Sequence, residues 1–217
     1  MAYHKKSDYL MDYDADIKVI QECSKDSLME SHIWFGDSPL KGIGIGFKHG
    51  INFNLASCYT QSYKWIIPIE VQTNEYDFIL IAVWLKRDKK YAYVGPFIQA
   101  MKYYLPILSG KKLVIIGDFN SNSIWDQKYI NKGNHSEMIN LLNQNEISSL
   151  YHTYFNEKYG KETKFTYYHK RNPSSGFHLD YCFISNDLLN RIGNFDVGKR
   201  SDWIDKSDHV PLIITLN

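Results

Sequence analysis

The sequence is short of cysteine, of long apolar runs and of net charge, and each shortage excludes a class of protein. Its three cysteines, Cys23, Cys58 and Cys182, have no CxxC spacing, which argues against a zinc knuckle or a disulfide framework and suits a reducing cytosol. No apolar stretch approaches the ~20 residues of a membrane-spanning helix, and the N-terminus lacks the pattern of a signal peptide. We therefore expect a cytoplasmic protein.

The charge balance disfavours a purely electrostatic nucleic-acid binder. Lysine and arginine number 25 against 24 aspartates and glutamates, a net charge of +1, whereas such binders are strongly basic. Two short basic clusters remain: Lys86, Arg87, Lys89 and Lys90, and Lys164, His169, Lys170 and Arg171. They could contact a phosphate-bearing substrate or simply face solvent, and solvent exposure is the commoner outcome for such runs.

What the sequence does contain is a long alternation of short apolar strands with a few helices. The 217 residues, 44% of them hydrophobic, predict one domain over residues 1–217 with a large core. Helices are expected near residues 3–11, 96–108 and 135–145, the last with Asn134 and Glu137 in a capping-box pattern. Strands are expected at Ile17–Ile20, Gly42–Phe47, Asn52–Ser57, Trp65–Gln72, Asp77–Leu85, Leu113–Gly117, Phe165–Tyr168, Leu179–Ile184 and Leu212–Leu216. This mixture predicts an α+β sandwich.

Polar residues of catalytic type follow the most apolar strand. Asp118 and Asn120 come directly after residues 113–117, and residues two apart on an extended segment point to the same side. An acid and an amide could then share one site. The alternative is an ordinary Asp/Asn turn after a strand, because these side chains readily bond the local backbone.

A second polar group lies near the C-terminus. Asp208 and His209 are adjacent, so they would face opposite sides of a regular strand and can share a site only from a turn. Asp180 stands within an apolar strand, where an unpaired carboxylate is costly, so it needs a partner. His209 is the candidate partner and His178 the nearby competitor. Glu22 ends the strand that begins at Ile17.

These residues lie in four motifs, given below in chain order, which resemble those of the metal-dependent endonuclease/exonuclease/phosphatase superfamily. Its members include DNase I-like and exonuclease III-like nucleases and inositol-polyphosphate phosphatases. The resemblance implies a four-layer α/β/β/α sandwich with two packed, mainly antiparallel sheets. The motifs are VIQE with Glu22, IIGDFN with Asp118 and Asn120, HLDYCFIS with Asp180, and SDHVPL with Asp208 and His209.

The same resemblance assigns roles to these residues. It implies that Glu22 holds a divalent cation, Mg²⁺ or Mn²⁺, with Asp208 beside the metal. It implies that Asp118 activates or orients the attacking water and that Asn120 positions the phosphate. His209, braced by Asp180, would stabilise charge on the phosphate. Oxygen ligands suit hard cations of this kind.

The sequence departs from the family pattern in two places. Family members begin with a strand that ends in a Trp-Asn motif, whereas this chain begins with residues that resemble the following helix, so we expect an N-terminally truncated domain. Nuclease members also carry a tyrosine near the phosphate where this chain has Trp84, an indole donor only. The tyrosine's role would be vacant, or filled by Tyr91 or Tyr93.

Together these features predict a metal-dependent hydrolase of phosphate esters, an endo- or exonuclease acting on nucleic acid. One alternative is a phosphatase or phosphodiesterase acting on a small phosphorylated metabolite or lipid headgroup, which the near-neutral charge favours. Another is a catalytically weakened binding protein of the same fold. A serine hydrolase is disfavoured because the sequence has no GxSxG elbow.

Overall fold

The computed structural model describes residues 13–25 and 31–217. A first, antiparallel sheet contains β1 (Ile17–Cys23), β2 (Ser31–Ser38) and β3 (Lys41–Phe47) in the order β1-β3-β2. The main sheet has six strands in the order β4-β5-β6-β7-β11-β8. Their bounds are β4 (Asn52–Leu55), β5 (Ile66–Gln72), β6 (Asp77–Trp84), β7 (Leu113–Asp118), β8 (Ile147–Ser149) and β11 (Asp180–Ser185).

The described part of the chain also contains two short antiparallel pairs of strands, four α-helices and four 3₁₀ helices. The pairs are β9 (Tyr167–Tyr168) with β10 (Gly176–Phe177) and β12 (Ile192–Val197) with β13 (Leu212–Leu216). The α-helices are α1 (Val94–Ile107), α2 (His135–Asn143), α3 (Leu150–Phe155) and α4 (Arg200–Trp203). No helix among the described residues is long and apolar enough to cross a membrane.

The centre of the main sheet is the pair β6 and β7, which run parallel. Parallel neighbours need a crossover connection, and α1 provides it. In β6 every residue after Asp77 is buried, because both faces of this strand are covered; such strands are continuously apolar. Because they run parallel, the two strands end at the same end of the sheet, where Trp84 and Asp118 are neighbours.

The core lies in two layers, one on each face of the main sheet. On one face α1 and α2 pack through Phe97, Met101 and Met138. On the other face, β3 and β12 contribute Ile43, Ile45 and Phe195 to a second apolar cluster. The predicted α+β sandwich with packed, mainly antiparallel sheets is confirmed. The helix predicted near residues 3–11 lies outside the described residues.

Most predicted elements are present, with small shifts at their ends. The side chain of Asn134 caps α2 by accepting the amide of Glu137, and that helix ends at Asn143. Helix α1 ends one residue after Pro106. The strand predicted over Phe165–Tyr168 is reduced to β9. Strands β2, β8, β10 and β12 and helices α3 and α4 were not predicted from the sequence.

Candidate active site

Five of the six predicted site residues line one pocket of about 210 Å³. They come from both sheets and from the segment before β13, so the pocket lies where the two sheets meet. Asp118 and Asp180 are provided by the main sheet, and Glu22 by β1. Further lining residues are Val19, Gln21, Gly117, Trp203, Ser207 and Leu212. The five predicted pocket residues are Glu22, Asp118, Asp180, Asp208 and His209.

Gly117 allows β1 to approach the strand ends closely. It has φ +149°, and a Cβ at this position would lie 1.9 Å from the carbonyl oxygen of Val83 and 2.9 Å from Nε2 of Gln21. Because no Cβ occupies this position, the side-chain amide of Gln21 can donate a hydrogen bond to the Val83 carbonyl, at 3.2 Å. The contact holds the edge strand of the first sheet against the end of the main sheet that lines the pocket.

Asp180 is bonded to His209. The imidazole Nδ1 of His209 lies 2.9 Å from Oδ2 of Asp180. Nδ1 therefore donates to the carboxylate, which leaves Nε2 directed away from Asp180. The hydroxyl of Thr166 accepts the amides of Leu179 and Asp180, both at 2.9 Å, and so fixes the backbone that carries the carboxylate.

His178, the other possible partner, is bonded elsewhere. Its Nδ1 lies 2.9 Å from the carbonyl oxygen of Lys164, and its side chain is buried. Because a carbonyl only accepts, Nδ1 of His178 carries the proton. The geometry therefore joins Asp180 to His209 and gives His178 a structural contact.

An irregular segment places both Asp208 and His209 at the pocket. The His209 amide donates to the hydroxyl of Ser207 at 2.9 Å. His209 forms an isolated bridge with Tyr167, and the Asp208 carbonyl accepts the amide of Tyr168 at 2.8 Å. Since neither residue lies in a regular strand, the two adjacent side chains need not face opposite sides.

Tyr167 is a site neighbour that sequence reasoning missed. Its ring lies 4.8 Å from that of His209, centroid to centroid, and its hydroxyl is 3.0 Å from Nδ1 of His169. Like Tyr91 and Tyr93, Tyr167 is not among the described residues that line the pocket itself, but it contacts His209, which does. The pairing of Tyr167 with His209 joins distant parts of the chain, so no local pattern in the sequence could have revealed it.

Asn120 lies beside the pocket, but the geometric reason predicted for it is wrong. The strand ends at Asp118, and Asn120 has φ +48°, so the two residues do not share an extended segment. Instead, the amide and the side chain of Asn120 donate to the two carboxylate oxygens of Asp118, at 2.8 and 2.7 Å. The side chain also donates to the carbonyl of Leu85 at 3.1 Å. Asn120 thereby orients the Asp118 carboxylate.

Glu22 reaches the pocket through a β-bulge. The pairing of β1 with β3 shifts register between Gln21 and Cys23, and Glu22 between them has φ +58°. A bulge re-aims a side chain, and here Gln21 and Glu22 both line the pocket. One oxygen of the Glu22 carboxylate lies 3.1 Å from the Lys41 ammonium.

The pocket contains more negative than positive charge. Burial, followed by the charge of Asp180, raises the pKa of Asp118 to about 7. Burial opposes protonation of His209, but the carboxylates of Asp180, Asp118 and Asp208 outweigh it and raise its pKa to about 9. These three carboxyl groups therefore favour the protonated, cationic form of His209.

The donor chemistry of the pocket fits a hard divalent cation. Among the described residues, no three His, Cys, Asp or Glu side chains converge tightly enough to hold a metal by themselves. Mg²⁺ does not need such a cage, because one or two carboxylates with water and substrate phosphate complete its shell. Glu22 and Asp208 provide two carboxylates in one pocket.

Comparison with known proteins identifies the fold. No family model matches the sequence, and no curated protein matches it. The endonuclease domain of TRAS1, a telomere-specific non-LTR retrotransposon, superposes with a TM-score of 0.72 at 16% identity, covering 100% of this chain and 92% of that one. The 3′-5′ exonuclease NExo from Neisseria meningitidis gives 0.68 at 15%, covering 100% and 96%. NExo described as a 3′ phosphatase from Neisseria, bound to a product DNA hairpin, gives 0.67 at 15%, covering 99% and 93%. The chain therefore has the same fold as these solved structures, a retrotransposon endonuclease domain and the exonuclease and 3′ phosphatase NExo.

Proposed function

We propose that this protein is a metal-dependent phosphoesterase that hydrolyses phosphodiester bonds in nucleic acid. The observation that carries the proposal is the convergence in one pocket of Asp118, the Asp180–His209 pair and the two further carboxylates of Glu22 and Asp208. An endonuclease domain and a DNA-bound 3′ phosphatase with the same fold support it.

Asp118 is the proposed general base. Its carboxylate accepts a proton from a water molecule, whose oxygen attacks the phosphorus while the bond from phosphorus to the leaving oxygen breaks. The leaving oxygen takes a proton from solvent water. Asn120 keeps the base aligned through the two hydrogen bonds that it donates to Asp118, and we propose that it also helps to position the phosphate.

His209 is the proposed electrostatic stabiliser. As a cation with Nδ1–H bonded to Asp180, it has Nε2–H available to donate to a non-bridging phosphate oxygen. A donor held in place before the reaction stabilises charge as it develops, without the cost of reorganisation. Asp180 does not touch the substrate in this scheme; it positions the imidazole and favours its charged form.

Glu22 and Asp208 would hold the Mg²⁺ or Mn²⁺ ion. When bound, the cation supplies charge stabilisation for the phosphate oxygens. Lys41, which forms an ion pair with Glu22, competes with a cation for that carboxylate. The ion pair is half exposed and therefore weak, so replacing Lys41 by the cation costs little free energy.

Hydrolysis of a small phosphoester is the second candidate. The net charge of +1 favours it, because nucleases that act on long polyanions commonly carry a basic surface. The same pocket residues would act on either substrate. The two candidate functions are therefore distinguished only by measuring which substrate the protein hydrolyses.

The proposal is tested with single-stranded, nicked and abasic DNA beside bis-p-nitrophenyl phosphate, each with Mg²⁺, Mn²⁺ or EDTA. We expect cleavage of at least one DNA substrate that EDTA abolishes and that His209→Ala reduces strongly. Hydrolysis of the small diester with no DNA cleavage would favour the second candidate. Absence of any metal-dependent hydrolysis would overturn both.

A further inference from the structure

Two lysines lie over tryptophan rings next to the strand end that carries Asp118. We call this group the lysine–tryptophan cluster: Asp37, Lys64, Trp65, Trp84 and Lys86. The Lys86 ammonium lies 3.4 Å from the ring centroid of Trp65 and 4.0 Å from that of Trp84. The Lys64 ammonium lies 4.9 Å from that of Trp65. In contacts of this kind the face of the ring attracts the ammonium group.

The cluster borders the catalytic end of the main sheet. Trp84 is the register partner of Asp118, and the next residue, Leu85, donates its amide to the Asp118 carbonyl at 2.8 Å. Lys86 follows directly. Lys41, which pairs with Glu22, lies 5.7 Å from the Trp84 ring. Positive groups thus continue from the pocket across Trp84 to Lys86.

The cluster carries more positive than negative charge. Asp37 accepts both lysines, with its two oxygens 2.6 Å from Lys64 and 3.2 Å from Lys86. Two ammonium groups therefore share one carboxylate. Their side chains are about one-third exposed, and that of Asp37 is 67% exposed, so an anion from solvent can reach them. Lys86 covers a face of Trp65, which makes the ring a support for the cation rather than a platform for a base.

We propose that the lysine–tryptophan cluster is a second phosphate subsite, which binds the phosphate next to the one hydrolysed in a nucleic-acid strand. This inference rests on the proposed function and narrows its substrate to an oligonucleotide. The carboxylate pocket repels a polyanion, and a net charge of +1 offers no general attraction. A strand can therefore dock only where positive charge is concentrated locally.

The structure offers variants with opposite expected signs. Lys86→Met keeps the apolar stem over the two rings while it removes the charge. Asp37→Asn removes the shared counter-ion and increases the positive charge. Lys48→Met is the matched control, because Lys48 follows the far end of β3 from Lys41 and pairs with Asp14 and Asp16. Each variant removes one charge from a side chain that is at least one-third exposed.

Binding of a short fluorescein-labelled single-stranded DNA is measured by anisotropy in EDTA, over a range of NaCl concentrations. Lys86→Met should weaken binding about three- to tenfold and lower the slope of log Kd against log salt by about 0.7, since one phosphate contact is lost. Asp37→Asn should tighten binding about two- to fivefold. Lys48→Met should change it by less than about 1.5-fold.

Two results would overturn the subsite. One is an equal loss of affinity in Lys86→Met and Lys48→Met, which would show only general electrostatics. The other is displacement of the DNA by inorganic pyrophosphate at equal phosphate concentration, which would assign the cluster to a small polyphosphate. Hydrolysis of bis-p-nitrophenyl phosphate by the unaltered protein tests the proposed function separately. Metal-dependent DNA cleavage by the unaltered protein, with equal DNA binding by Lys86→Met and Lys48→Met, would refute the subsite alone, and absence of any metal-dependent hydrolysis would refute the proposed function.

Discussion

Asp118 lies directly opposite Asp180 in the antiparallel pairing of β7 with β11. Two like charges at such positions destabilise a sheet. Hydrogen bonds offset the repulsion at each carboxylate. Asp180 accepts a hydrogen bond from Nδ1–H of His209, and Asp118 accepts two hydrogen bonds from Asn120. A costly pair that is stabilised by dedicated neighbours is typical of a functional site rather than of a structural one.

The coupling of Asp180 to His209 can be measured with a double-mutant cycle. We expect Asp180→Asn to lower kcat/KM by about 10² to 10⁴ through loss of the charged, oriented imidazole, and His209→Ala to cost about as much. Because the two residues act as a unit, the double variant should be little worse than either single variant. Circular dichroism checks that the fold is retained.

His49→Ala, at an exposed histidine, is the control for this cycle and should keep full activity. Additive losses in the double variant would show that Asp180 and His209 act independently. In that case the 2.9 Å hydrogen bond between them would have no catalytic role.

Mg²⁺ should stabilise the folded protein. A ligand that binds only the folded state raises stability by about 2.7 kcal/mol at a hundred times its Kd, which for this size corresponds to several degrees in Tm. Glu22→Gln should remove most of that shift, whereas Glu70→Gln, at an exposed position of β5, should retain it. Differential scanning fluorimetry with Mg²⁺ and with EDTA measures it. An equal shift in all three proteins would place the cation elsewhere.

Gly117→Ala should destabilise the protein by about 2 kcal/mol or more. The added Cβ would meet the Val83 carbonyl at 1.9 Å, and the residue has φ +149°, so both a clash and backbone strain result. Gly110→Ala is the control, because φ is +75° there but the space is open; strain alone should cost about 1–2 kcal/mol. Urea unfolding gives both values, and equal losses would argue against the clash.

Acid should destabilise the fold through two buried imidazoles. Burial lowers the pKa of His135 from 6.5 to about 3 and that of His178 from 6.5 to about 4. At a pH between these lowered values and about 6.5, the unfolded chain binds more protons than the folded one. The free energy of unfolding therefore falls as the pH drops below about 6.5. Each residue contributes up to about 1.4 kcal/mol per pH unit. Asp118, whose pKa burial raises, acts in the opposite direction.

His178→Asn isolates one of these contributions. Asparagine can still donate to the Lys164 carbonyl that His178 bonds, but it does not titrate. The stability difference between the parent protein and this variant should shrink as the pH falls from about 6.5 to 4, as urea unfolding at several pH values would show. A difference that stays constant across that range would mean that His178 is protonated in the fold.

The elements that could be predicted from the sequence are those whose burial requires an apolar composition. Strands β6 and β7 are covered on both faces and therefore read as unbroken apolar runs. Strand β12 was missed because its sequence, IGNFDV, contains Gly, Asn and Asp, which are depleted in strands. Its pairing with β13 provides the stabilisation instead, and such long-range pairing leaves no local signal.

The site divides in the same way. The family resemblance of the four ordered motifs was enough to suggest that Glu22, Asp180 and His209 belong to one site, and each motif lies in, directly after or directly before an apolar strand. Local geometry was not available from spacing: the left-handed backbone of Asn120 and the bulge at Glu22 depend on tertiary contacts. Tyr167 reaches His209 through an isolated bridge between segments that are distant in the chain.

The pocket is assembled from chain segments that are synthesised far apart in time. Glu22 emerges early and His209 late, and none of the intervening segments contains a complete set of the groups that would perform the chemistry. Contacts between such distant segments also form slowly, because long loops must close first. The pocket therefore cannot be complete until His209 has left the ribosome, whatever the order in which the earlier elements fold.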